Sequence, residues 1–169
     1  MIKTDAAIAL LKDSIGRVGR PGIGAENDLA RIYASMGRYQ DAADTLSLIL
    51  RNPRTPPLSQ QVLDRVSLMV RLLRSAPAKP ANPENLPPLE GNSYIHLYIG
   101  APERALEAFD EPAQGYASLG YLAHSSYAPV RKTERFKKIM RDEGIAAYWR
   151  ERGWPSYCHP TTGDDFECS

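Results

Sequence analysis

One segment constrains the fold more than any other: residues 26–50, where two apolar stripes of helical period flank a single glycine. Leu29, Ile32, Tyr33 and Met36 recur at spacings of three and four. Gly37 interrupts them, and Ala42, Ala43, Leu46, Ile49 and Leu50 resume the same period. Apolar residues at that spacing form one face of an amphipathic helix. Two such helices joined by a glycine turn must fold back on each other as an antiparallel hairpin. Pro53, Pro56 and Pro57 end the second helix.

The rest of the chain follows the same grammar. Ile8, Leu11, Ile15 and Val18 predict a helix opening at Thr4, which is suited to cap it. Residues 16–24 hold four glycines and Pro21 and read as a loop. Val62, Val66, Met69 and Leu73 predict a long helix over 58–74. Five prolines between Ser75 and Pro88 then mark an extended linker. Beyond it the patterns predict a short helix over 92–99, a turn at Gly100 and a helix opening at Pro102 and Glu103. Further helices are expected over 116–125, 131–143 and 145–151, with Gly144 as a stop. No segment alternates as a strand would, so the expected class is all-α.

Composition excludes more than it assigns. In 169 residues, 21 Lys and Arg balance 20 Asp and Glu, a net charge of +1. That balance gives no global pull toward nucleic acid or acidic membranes. No apolar run is long enough to span a bilayer. The N-terminal run from Ala6 to Leu11 is too short and too weak for a secretion signal, and the expected location is the cytoplasm.

The 26–50 hairpin resembles a tetratricopeptide repeat. Leu29, Ala30, Tyr33, Gly37, Ala42, Leu46 and Ile49 stand at the large, small, aromatic and turn positions of that pattern. Glu26 stands where the usual first aromatic would be, and Pro53 falls about one place early. Gly100, Ala105 and Phe109 repeat part of the pattern, with Asn92 and His96 replacing its Leu and Tyr. The resemblance implies a short right-handed superhelical array of antiparallel hairpins. It also implies a single domain: N-terminal helices over 1–74, a Pro-rich linker over 75–90, a degenerate repeat over 91–125 and a helical, partly irregular C-terminal cap over 126–169. The tail, with Ser126-Tyr127-Ala128-Pro129, Tyr148-Trp149, Gly153-Trp154-Pro155, Cys158 and Asp165-Phe166, is similar to that of bacterial tetratricopeptide proteins. In those the repeats follow winged-helix or nucleotide cyclase domains. The chain carries no phosphate loop or paired metal-binding carboxylates, so a cyclase activity does not carry over.

What the resemblance implies about function is a non-enzymatic interaction module or scaffold, in bacterial signalling or regulation, whose partner is another protein or peptide. Asn27, Arg31 and Ser35 lie off the apolar stripe on the first helix of the hairpin, where such arrays receive partners. Other chemistry has thinner grounds. Cys158, His159 and Cys168, with His124, Asp164 or Asp165, match no common zinc spacing, and no metal or cofactor is assigned. The two cysteines read as reduced packing residues, with a Cys158–Cys168 disulfide as the alternative. Cys158 beside His159 is not a nucleophile–base pair, because neighbours in an extended segment point opposite ways. The basic run Arg131, Lys132, Arg135, Lys137, Lys138 and Arg141 is interrupted by Glu134 and reads as a solvated helix face. Trp149 and Trp154 read as anchors for a tail without helical period. The rival function is a small-molecule or metal sensor, or an enzyme, with its site near that tail.

Overall fold

The computed structural model describes residues 2–17, 23–52, 56–79, 82–109 and 120–169. They form two compact units: Met1–Pro83 with Tyr98–Gly100, and Glu84–Leu97 with Ala101–Ser169.

Unit 1 is built from α1 (Ile2–Gly16), α2 (Gly24–Ser35), α3 (Tyr39–Arg51) and α4 (Gln60–Ser75), each packed on the next in sequence. The turn between α2 and α3 is made by the backbone. The Arg38 amide donates to the Tyr33 carbonyl at 2.9 Å and the Gly37 amide to that of Ala34 at 3.0 Å. This closing motif needs a left-handed residue, and Gly37 has φ +75°. Ala30, Ala34, Ala42 and Ala43 are buried and let the two backbones approach, while Tyr33, Leu46 and Ile49 fill the seam. Val66, Met69 and Leu73 bring α4 onto α3, and Ser59 caps α4 by accepting the Val62 amide. α1 differs from the expectation at its start. It begins at Ile2, so Thr4 lies inside the first turn rather than ahead of it. Ile8, Leu11 and Ile15 are only half-buried, and Leu10 is exposed.

Residues 76–79, which follow α4, are irregular and largely exposed, and Pro83–Asn85 makes one 3-10 turn. Its Lys79 stem lies over Gly100, where a Cβ would sit 2.6 Å from the Lys79 Cγ. Gly100 (φ +80°) again closes a helix, with the Ala101 amide reaching back to the His96 carbonyl at 2.9 Å.

Unit 2 is made of short pieces. α5 (Tyr94–Tyr98) contributes its first four residues, and a 3-10 helix runs over Pro102–Phe109 where an α-helix is expected. α6 (Ala128–Arg131), α7 (Glu134–Asp142) and α8 (Ile145–Arg152) follow. The single helix expected over 131–143 is broken because Thr133 takes an extended conformation and caps α7 by accepting the Phe136 amide at 3.2 Å. Most of the helix expected over 116–125 lies outside the described residues.

The tail contradicts an expectation. No strand is legible in it, yet β1 (Cys158–Pro160) and β2 (Phe166–Cys168) pair antiparallel, Cys158 opposite Cys168. Each strand has three residues, too few for alternation to register, and Gly163 at φ +64° turns the chain between them. A Cys158–Cys168 disulfide joins the pair, which corrects the reading of both cysteines as reduced. Phe136, Met140, Ala146 and Phe166 form the core beneath, and α6 and α7 pack on the Pro102–Phe109 helix.

Candidate functional sites

The three residues expected to meet a partner share one line of α2, four residues apart, beside the buried row Glu26, Leu29, Ala30, Tyr33 and Ala34. All three are half-buried rather than freely solvated. The Ser35 hydroxyl is spent within the helix, donating to the Ile32 carbonyl at 2.7 Å. The Asn27 Oδ1 is shielded from water and accepts no hydrogen bond. At the seam's other side, Arg38 lies 4.4 Å over the Tyr33 ring and donates to Asp41 at 2.7 Å, which raises its already high pKa.

A second feature of unit 1 escapes sequence reasoning. An open cleft of about 370 Å³ lies between the end of α3 and the start of α4, lined by Ile49, Leu50, Arg51, Asn52, Pro57, Leu58 and Leu63. Leu50 is 41% exposed there. The apolar stripe of α3 predicts Leu50 as a core residue; it is instead among the exposed large apolar residues.

In unit 2 the candidate chemistry of the tail is already engaged. Cys158 has no thiol to offer, and His159, on the opposite side of β1, is exposed 3.9 Å from Glu167. Among the described residues no group of three or more His, Cys, Asp or Glu side chains could hold a metal ion. Trp149, Trp154 and Phe166 stand with ring centres 5.4–5.9 Å apart, one against another, as a filled cluster. The basic run is largely exposed, as a solvated helix face would be, except at Arg131 and Lys137. Arg131 is 4% exposed and donates to the carbonyls of Leu122, His124 and Ser169. Lys137 and Arg141 both bind Asp165, and Lys138 binds Asp142.

His96, which stands at the position of the repeat's Tyr, is fully buried, and its neighbours Ile95 and Leu97 are buried too. Its Nδ1 lies 3.9 Å from Glu107, which Arg104 also engages. Burial above all, and then the Arg104 charge, hold its pKa below the ordinary histidine value, with Glu107 acting in the opposite sense. The signal was present in the pattern: Tyr94, Ile95 and Leu97 flank His96 without a polar residue, and a helix segment that is apolar all round is buried.

No helix among the described residues is long and apolar enough to cross a membrane. Comparison with known proteins gives no match to a family model, a curated protein or a solved structure.

Proposed function

We propose that this chain is a non-enzymatic protein-interaction module, a short right-handed array of tetratricopeptide type that holds a segment of another protein. The supporting observation is the order of packing in unit 1. Each helix from α1 to α4 lies on its sequence neighbour, and the α2–α3 seam is narrowed by four buried alanines. Stacked hairpins of that kind expose the first helix of each pair along a groove suited to a peptide or a partner helix. Asn27, Arg31 and Ser35 lie on that line, with Arg31 as its cation and Asn27 as its unused acceptor. The state of Cys158 and of His96, one bonded and the other walled off from water, favours a binding role over a catalytic one. The likeness of the tail to bacterial tetratricopeptide proteins is the ground for a role in signalling or regulation. A cytoplasmic setting is the part of this reading that the disulfide opposes, since such bonds persist in oxidising compartments.

Selection of peptides from a displayed random library, followed by fluorescence polarisation on the enriched sequences, tests the reading. Enriched peptides should bind the unaltered chain, and Arg31→Ala should weaken them about tenfold, or roughly 1.4 kcal/mol. Lys132→Ala, in unit 2, should leave them alone. Enrichment of no binder, or equal affinity for Arg31→Ala with its helical signal intact, overturns it.

A further inference from the structure

Of the three histidines, His124 and His159 are exposed and His96 is fully buried. A neutral imidazole carries one donor and one acceptor nitrogen. Neither nitrogen of His96 has a hydrogen-bond partner. The main-chain carbonyls of Pro87 and Arg104 lie beside the ring without completing a bond. The charged groups that act on it both come from the Pro102–Phe109 helix. Glu107 turns its Oε2, itself buried and without a hydrogen bond, toward Nδ1 at 3.9 Å. Arg104 is held close by its bonds to the other Glu107 oxygen and to the Leu86 carbonyl. Unsatisfied polar atoms in a dry interior are costly, and a charge there costs more. This spot is therefore a costly point in the contact between α5 and the Pro102–Phe109 helix.

We propose that unit 2 carries an acid-sensitive switch at His96, in which protonation of the ring at mildly acidic pH opens the contact between α5 and the Pro102–Phe109 helix. An opened ring takes up its proton near the ordinary histidine value of 6.5, and the folded ring only at lower pH. The stabilisation that comes from keeping the ring neutral is therefore complete above about 6.5 and drains away as pH falls below it. Through that window the open state holds one proton more than the closed one. Its equilibrium constant against the closed state rises by up to about tenfold per pH unit. Glu107 limits the depth of the window, because its carboxylate favours the charged ring that burial and Arg104 disfavour.

Both tryptophans of the chain, Trp149 and Trp154, belong to unit 2, so their emission reports on that unit. Urea titrations followed by tryptophan emission, stepped from pH 7.5 to 5.0 on the full chain, provide the test. The midpoint should fall steadily below pH 6.5 in the unaltered chain and fall with a clearly smaller slope in His96→Gln and His96→Leu. A flat midpoint in the unaltered chain, or the same slope in both variants, overturns the switch. Should neither variant fold, proton–carbon NMR of the His96 ring in the unaltered chain decides. The ring should keep its neutral-form shifts until unit 2 opens; a native resonance that titrates at or above pH 6.5 overturns the proposal.

Discussion

Unit 1 is assembled from helices of 12 to 16 residues, whereas no helix described in unit 2 exceeds nine. That difference in length sets what each must use to stay folded. Long amphipathic helices bury continuous stripes, and small residues at the crossing let dispersion and the hydrophobic effect hold them. Helices of four to nine residues are marginal alone and bury little each. Unit 2 accordingly relies on point attachments. Arg131 gathers three carbonyls, the disulfide closes the hairpin, three aromatic rings interlock, and Asp165 joins α7 to β2.

The comparison breaks first, and by the largest amount, at Tyr33. The ring is 4% exposed, sits in the α2–α3 seam and lies beneath Arg38. Tyr33→Ala should destabilise unit 1 by roughly 3–5 kcal/mol, as other buried aromatic truncations do. Urea unfolding followed by far-UV circular dichroism checks this. A loss below about 1 kcal/mol would show that the seam is not where unit 1 derives its stability.

A smaller effect sharpens the other side. Cys158 and Cys168 close a short loop, ten residues apart, and both are buried. Replacing the pair by serine should cost roughly 2–3 kcal/mol, from the freedom regained by the unfolded loop. Tryptophan emission on urea unfolding reads the loss directly. Dithiothreitol should shift the unaltered chain by a similar amount and leave the double variant unmoved. An unaltered chain indifferent to reductant would mean that the aromatic cluster alone holds the tail.

The same contrast explains what could be read from the sequence. Unit 1 was legible because helical period, alanine spacing and Gly37 all point to one packing. Leu29, Tyr33, Leu46 and Ile49 are buried as the stripe requires. The tail was not, because its order comes from contacts distant in sequence. Arg131 meets the carbonyl of Ser169, and Lys137 meets Asp165. A strand of three residues leaves no period to detect. The pairing did leave a faint trace: two cysteines separated by a Thr-Thr-Gly-Asp turn, with Phe166 and Cys168 on one side of β2. For the candidate partner line, the sequence located Asn27, Arg31 and Ser35 on one helix face. It could not show that all three are half-buried or that Ser35 bonds its own helix, since both depend on packing and rotamer.

The smallest effect lies at Asp165, and its pH dependence separates it from the contact at His96. The carboxylate accepts the Phe166 amide and binds Lys137 at 3.1 Å and Arg141 at 2.6 Å. The amide, then those two cations, hold its pKa below the ordinary aspartate value of 3.8. A depressed acid contributes stability that is complete above that value and is lost as pH falls below it. Lys137 gives the opposite limit. Its bond to Asp165 raises the ammonium above 10.5, so its share is complete below 10.5 and is lost as pH rises past it. Between those limits the tie should be flat, including across the range just below 6.5 where the proposed His96 switch acts. Asp165→Asn should therefore lower the tryptophan-read midpoint by a small, constant amount from about pH 5 to 9. The gap should narrow as pH falls below 3.8 and shrink in high salt, because Asp165 and Arg141 are exposed and screened. A gap that instead grows on acidification would mean that Asp165 acts through its hydrogen bond to the Phe166 amide in the neutral form, and that charge is not what fastens α7 to the hairpin.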